Sequence, residues 1–346
     1  MSQKIKAVVW DLDNTVWDGI LSEDQNVVLK EQVRLVMQEL DRRGILQSVC
    51  SKNDFEPAMK KLEEFGLDYL FIYPQISWNP KSDGIKQIQT SINIGMDTIA
   101  FIDDQIFERE EVAFQHPEVL CLGAADIERI LEMDAFHPTH LTADAKNRRQ
   151  LYQNDIKRNQ LKEEFKGTET EFLESLEMRF TVSHVGEDDL ARAEELTVRT
   201  HQLNATGVTY SYEELERFSK DDNYIVLIAQ LEDKYGDYGK IGLALIEKQK
   251  TAWTLKLLLM SCRVMSRGVG TVLLNYISGL AIKNGVDLYA EFIPTDRNKI
   301  MYITYKFAGY HSDGKNGEIE RLKLDQTKAG KIPDYLTLVE GDLLHV

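Results

Sequence analysis

Two carboxylates two residues apart, Asp11 and Asp13, close the apolar run Ile5–Trp10, and Thr15 follows them. Alternate residues of an extended chain share one side, so both acids leave the strand together. Paired acids at such a place suit a divalent cation, which takes hard oxygen ligands, or a nucleophile with an acid/base partner. Later runs end in comparable groups. Ile45–Val49 leads into Cys50, Ser51, Lys52 and Asn53, Lys81 follows in NPKSDG, and Thr98–Ile102 runs into Asp103 and Asp104. Carboxylates gathered in one place repel unless a cation and a lysine compensate them. Phosphoryl transfer needs that kind of charge neutralisation more than it needs elaborate covalent chemistry.

A second candidate site lies in SCRVMSRGVGT, where an apolar run passes through Arg263, Arg267, Gly268 and Gly270 into a long apolar segment. Backbone N–H groups at a glycine turn before a helix bind phosphates, and glycine allows close approach. A tight turn with no ligand is the alternative.

The elements that must position these residues follow from periodicity. The first 125 or so residues alternate β-rich runs (Ile5–Trp10, Ile45–Val49, Tyr69–Tyr73, Thr98–Ile102, Val119–Leu122) with helical stretches near Glu31–Arg43, Asp54–Glu64, Asp83–Ser91 and Phe107–Phe114. Apolar strands separated by helices predict βαβ units around a buried parallel sheet, whose ligands sit at the carboxyl ends of the strands. From about Phe136 to Glu177 the chain is highly charged with loosely helical apolar spacing, which reads as a solvated connecting helix or one that docks the flanking domains. Strands are then expected at Arg179–Ser183, Tyr224–Gln230, Ile241–Lys248, Ala252–Met260 and Asp287–Phe292, with helices at Gly270–Lys283 and near Asn298–Phe307. The expected organisation is α/β throughout: a first domain over 1–135, a helical linker over 136–177 and a second α/β domain over 178–346.

Composition sets outer limits. The 346 residues carry 41 Lys plus Arg against 57 Asp plus Glu, a net charge of −16, which disfavours broad binding to nucleic acid or anionic membrane. No run approaches the roughly 20 apolar residues that span a bilayer. The N-terminus meets an acid before an apolar leader core forms, and three cysteines make no disulfide framework, so a reduced cytoplasmic protein is expected. The charge is uneven. From Lys250 to Tyr310 there are eight Lys/Arg and three acids, a local +5 around the glycine turn.

The order Asp, Ser, Lys, then paired Asp resembles the haloacid-dehalogenase (HAD) superfamily of phosphotransferases. That resemblance implies a Rossmannoid parallel sheet in which Asp11 attacks phosphorus and Asp13 protonates the leaving oxygen, then activates water. Thr15, Ser51, Lys52 and Asn53 would bind phosphate, with Lys81 neutralising its charge. Mg²⁺ would be held by Asp11, Asp103, Asp104 and, through its carbonyl, Asp13. The spacing leaves room for a flap (Val16–Leu29) but for no cap domain. An open site of that kind favours a substrate borne on a larger partner. The glycine turn resembles the GNAT acyltransferase fold, whose turn reads Gln/Arg-x-x-Gly-x-Gly/Ala. Met265 stands at the Gln/Arg position here, so Arg263 and Arg267 are the candidates for the positive charge.

Together VVWDLDNTVWDGIL, VCSKND, FIDDQIFEREEV, LYQNDIKRNQ and LLMSCRVMSRGVG resemble the FkbH-like family, glyceryl transferase/phosphatases of polyketide biosynthesis. The resemblance implies transfer of a glyceryl unit from 1,3-bisphosphoglycerate, with dephosphorylation, to the phosphopantetheine thiol of a holo acyl carrier protein. The unit would serve as a polyketide starter or extender, and the pantetheine arm would use Arg263, Arg267, Gly268 and Gly270. Carrier proteins are usually acidic, and the +5 segment would complement one. Cys50 lies near Lys52 and a helix start, both of which lower a thiol pKa. It either attacks the acyl phosphate to give a thioester or packs at the strand end. Cys121 reads as a core residue and Cys262 as a packing residue, while His201, Asn204 and Thr206 form a weaker polar stretch. Two other readings remain: a HAD phosphatase fused to an N-acyltransferase acting on an amino sugar, and a non-catalytic carrier-binding scaffold.

Overall fold

The computed structural model describes residues 4–24, 26–138, 141–200 and 202–341, so His201 lies outside the described residues. The chain divides into two compact units, Met1–Gln153 and Asn154–Val346.

The first unit contains β1 (Ala7–Trp10), the short antiparallel pair β2 (Trp17–Asp18) and β3 (Val28–Leu29), and α1 (Glu31–Arg42). β4 (Leu46–Ser51), α2 (Phe55–Glu64), β5 (Gln75–Ile76), α3 (Lys81–Ile92), β6 (Ile99–Asp103), α4 (Ile106–Gln115) and β7 (Leu120–Gly123) follow. Five strands form a parallel sheet in the order β5–β4–β1–β6–β7. β1 is central and wholly buried, which is why AVVW is apolar without alternation. Helix α1 turns Val33, Val36, Met37 and Leu40 inward, the spacing of one helical face. Between β1 and α1 the described residues hold the β2–β3 pair and no cap domain.

The strand expected at Tyr69–Tyr73 is absent. Asp68–Leu70 is a single 3₁₀ turn, Phe71 makes one bridge to Gln47, and pairing resumes only at β5. Tyr73 has φ 51° and Pro74 has no N–H to give a ladder, so the chain cannot run straight there. Leu70, Phe71 and Ile72 are buried all the same. Their apolarity serves the core from a turn.

Helices α5 (Ala143–Lys146), α6 (Arg148–Glu164) and α7 (Glu169–Ser175) occupy the charged stretch. Arg158 and Asp155, on α6, are buried within the second unit, where Arg158 grips both oxygens of Asp233 at 2.8 and 2.9 Å. This part of α6 is therefore not a solvated helix.

The second unit adds β8 (Met178–His184), α8 (Leu190–Arg199), α9 (Tyr212–Ser219), β9 (Tyr224–Asp233), β10 (Gly236–Lys248) and β11 (Ala252–Met260). After them come α10 (Val272–Lys283), β12 (Asp287–Phe292), α11 (Lys299–Phe307), β13 (Tyr310–Asn316), β14 (Ile319–Leu324) and β15 (Leu336–Glu340). Its mixed eight-stranded sheet runs β13–β14–β12–β11–β10–β9–β8–β15. Alternate residues of β9 enter opposite cores: Ile225, Leu227 and Ala229 pack with α10 and α11, whereas Val226 and Ile228 pack with α8 and α9. Both faces are covered, so the strand is apolar at consecutive positions. The α/β class, the parallel first sheet with only a short β2–β3 flap, and the mixed α/β second unit agree with the sequence reading. Among the described residues no helix is long and apolar enough to cross a membrane.

Candidate functional site

The carboxyl ends of β1, β4 and β6 bring the sequence-derived acids together. Lys81, the first residue of α3, places its ammonium 2.7 Å from Asp11 Oδ1 and 2.5 Å from Asp103 Oδ2, all three being buried. Thr15 Oγ1 donates to Asp11 Oδ2 at 3.4 Å and accepts from the Asp104 N–H at 3.0 Å, tying the loop after β1 to the loop after β6. Ser51, at the end of β4, is buried, and its Oγ accepts from Asn53 Nδ2 at 3.2 Å.

Carboxylate oxygens of Asp11, Asp103 and Asp104 lie within 4.8 Å of one another. Asp104 Oδ1 is buried and, among the described residues, has no hydrogen-bond partner. A set of converging hard oxygens with an unsatisfied one fits Mg²⁺. Burial pushes the Asp11 carboxyl up to about 6; Lys81 opposes this and the like charge of Asp103 adds to it. Burial alone would lower the Lys81 ammonium, but Asp11 and Asp103 outweigh it and hold the pKa above its ordinary value. Asp104 is raised by burial and by Asp103. The metal-free site is short of positive charge.

Asp13 leaves the loop in a different direction. Its Oδ1 accepts from Trp17 Nε1 at 2.8 Å and from the Leu21 N–H at 3.0 Å, and its Oδ2 accepts from Asn53 Nδ2 at 3.0 Å. Its carboxylate is thus outside the Asp11–Asp103–Asp104 group. Asn14 makes the turn possible at φ 55°, a left-handed conformation that asparagine tolerates.

Of the two readings of Cys50, the activated thiol disagrees with its surroundings. Alternation along β4 puts its side chain on the face opposite that of Ser51. The thiol is buried and donates to the Lys81 carbonyl at 3.4 Å. Burial pushes the thiol up to about 12, although Lys81 pulls it down. The expected lowering by Lys52 and the helix start does not occur. Lys52 instead pairs with Glu108 at 2.6 Å. Cys121 and Cys262 are in no disulfide among the described residues and are half-buried, so Cys121 is no core residue.

Two residues of α4 escaped the sequence reading. Glu108 is buried and receives Lys52, and Arg109 Nη1 donates to the carbonyls of Asp103 at 2.6 Å and Asp104 at 2.9 Å. Arg109 stands five and six positions beyond the two acids, one helical turn into α4, which was the available signal.

In the second unit, β11 passes through a 3₁₀ turn (Cys262–Arg267) into α10. Gly268 has φ 67°, and a Cβ there would lie 2.4 Å from the Tyr335 hydroxyl, which donates to the Gly268 carbonyl at 2.7 Å. Nothing lies within 4 Å of a Cβ on Gly270, leaving the turn open at that point. Arg263 is half-buried. Arg267, expected to offer charge at the turn, is 1% exposed and gives Nη2 to Asn159 on α6 at 3.0 Å, with Asp155 Oδ1 4.0 Å away. Asp155 and Asn159 draw it inward. Asn204 accepts from the Thr206 and Gly207 N–H groups, which makes it a turn-former.

No family model matches this chain, and no curated protein does. Among solved structures it is similar to the N-terminal part of a Bacteroides fragilis protein containing a phosphatase domain complexed with Mg. That pair is 29% identical over 40% of this chain, with a TM-score of 0.34, and the match spans 42% of the other chain. It is also similar to the ribosomal-protein-S18-alanine N-acetyltransferase of Escherichia coli, at 17% identity over 42% of this chain and 90% of that one, TM-score 0.33. The GNAT domain of S. lividans PAT gives 18% identity over 41% and 88%, TM-score 0.34.

Proposed function

We propose that the chain is a Mg²⁺-dependent glyceryl transferase and phosphatase of the FkbH-like type. It would load a glyceryl unit from 1,3-bisphosphoglycerate onto the phosphopantetheine thiol of an acyl carrier protein, with dephosphorylation. The observation that carries the phosphoryl half is the Lys81 ammonium held between Asp11 and Asp103 with Asp104 beside them.

Asp11, with one oxygen on Lys81, is the nucleophile for a phosphomonoester: its oxygen attacks phosphorus, the alkoxide leaves, and an aspartyl-phosphate forms. Asp13, oriented by Trp17 and Asn53, gives the leaving oxygen its proton and then takes one from the water that hydrolyses the aspartyl-phosphate. Ser51 and Thr15 stand beside Asp11 to hydrogen-bond phosphoryl oxygens. Asp11, Asp103 and Asp104 would hold Mg²⁺, which would supply the positive charge that a phosphate entering this buried, acidic site requires.

The acyl half runs without Cys50. The pantetheine sulfur attacks the carbonyl of the acyl phosphate, the C–O bond to phosphate breaks, and the thiol proton leaves with inorganic phosphate. A protonated thiol with its sulfur turned to the Lys81 carbonyl favours this direct route over a Cys50 thioester.

The test is intact-protein mass spectrometry of a holo acyl carrier protein incubated with the chain, Mg²⁺ and 1,3-bisphosphoglycerate. A glyceryl mass on the carrier is expected. Absence of the adduct with several carriers, alongside retained phosphatase turnover, overturns the transfer and leaves a phosphatase.

A further inference from the structure

Helix α11 presents an apolar stripe to solvent. Ile300, Ile303 and Phe307 stand at i, i+3 and i+7 on one side and are 39%, 51% and 85% exposed, while Met301 and Tyr305 are buried on the other side. The helix therefore has two apolar faces and buries one. Lys299 and Lys306, seven residues apart, run along the edge of the stripe next to Ile303, and both are exposed. Arg297 precedes the helix. From Arg297 to Ser312 the sequence has three basic residues and no acid, in a chain whose net charge is −16.

We infer that this stripe with its basic edge is the docking surface for the carrier protein, an inference that rests on the function proposed above. A partner that fits it carries acids around an apolar helix face. The lysines then steer approach and fix register, while Phe307 and Ile303 supply the desolvated centre where binding energy concentrates. A second copy seated face to face is a poor occupant, because it would set Lys299 and Lys306 against the same two lysines.

The experiment titrates fluorescently labelled holo acyl carrier protein with the full-length chain and reads anisotropy, alongside hydrolysis of p-nitrophenyl phosphate and glyceryl loading by mass spectrometry. Phe307→Glu and the double variant Lys299→Glu/Lys306→Glu each weaken carrier binding by about tenfold or more, while Phe307→Leu retains it. Hydrolysis of p-nitrophenyl phosphate stays at the wild-type rate in all three, because none of these residues belongs to the phosphate site. Added salt weakens binding of the wild type more than that of the lysine variant.

Equal carrier affinity of wild type and Phe307→Glu overturns the docking surface. So does failure of the wild type to bind the carrier, or a wild-type dimer that Phe307→Glu dissociates. If the variants load the carrier as well as the wild type does, the docking surface falls and the glyceryl transfer stands. If binding depends on the stripe but no glyceryl mass appears, the docking surface stands and the transfer falls.

Discussion

Gly84 makes room for the sulfur of Cys50: a Cβ at position 84 would lie 2.6 Å from Sγ and 3.9 Å from the Cys50 Cβ. A glycine in the interior of α3 costs about 1 kcal/mol relative to alanine in an isolated helix. Here it lets the helix that begins with Lys81 pack against β4. The same closeness keeps the Cys50 thiol dry.

Gly84→Ala is therefore expected to destabilise the protein by about 1–3 kcal/mol through overpacking, despite its better helix propensity. Adding Cys50→Ala removes the colliding sulfur, so the double variant recovers part of the loss. A double-mutant cycle by denaturant unfolding reads the coupling, and strict additivity would refute the contact.

Native Cys50 should resist iodoacetamide at neutral pH. Its pKa is raised above the ordinary thiol value by burial, so the reactive thiolate grows only as pH climbs toward about 12. Peptide mapping after alkylation should find Cys50 unlabelled until the protein is unfolded. Rapid labelling of the folded protein would restore the covalent route.

Lys81→Met leaves Asp11 and Asp103 buried without their cation, and breaking such a buried pair costs about 3–5 kcal/mol. Phosphatase kcat should fall by about 10²-fold or more, on the scale of losing one preorganised charge partner. Thermal unfolding and p-nitrophenyl phosphate hydrolysis measure the two effects. A variant with wild-type turnover would remove Lys81 from the mechanism.

Chelation should abolish phosphatase activity and lower Tm, with Mg²⁺ restoring both. At a hundred times Kd, Mg²⁺ stabilises the fold by about 2.7 kcal/mol. Asp104→Asn weakens that Mg²⁺-dependent Tm shift without destabilising the metal-free protein, because Asp104 Oδ1 has no partner to lose among the described residues. Differential scanning fluorimetry with and without Mg²⁺ separates the outcomes.

Tyr335→Phe should cost about 1 kcal/mol, the loss of one hydrogen bond to the Gly268 carbonyl. Gly268→Ala should cost more, since it adds left-handed strain of about 1–2 kcal/mol to a collision with the Tyr335 hydroxyl. Thermal unfolding of both variants gives the order.

Where one residue type had one physical use, the sequence was readable. Continuous apolar runs need two covered faces, which set the positions of β1, β4 and β6 to within a residue or two. Acids and a serine at the ends of those runs, with a lysine at the start of α3, bring Asp11, Ser51, Lys81, Asp103 and Asp104 to one place. The run at Tyr69–Tyr73 misled because burial asks for apolar side chains and not for a ladder. Strands β13, β14 and β15 carry alternating or charged residues with one face exposed, so their pattern was too weak to read.

By itself the sequence determined which groups a phosphate site could use, because periodicity and charge are properties of short segments. Direction and environment were decided by the tertiary structure. Lys52 and a helix start near Cys50 left it open between an attacking thiol and a packed one, and the packing of β4 on α3 buried it, so that desolvation outweighed both. Arg267 looked like a surface charge at the glycine turn until Asp155 and Asn159, more than a hundred positions earlier, drew it inside. The energy of a buried charge depends on what surrounds it, and those surroundings come from distant parts of the chain.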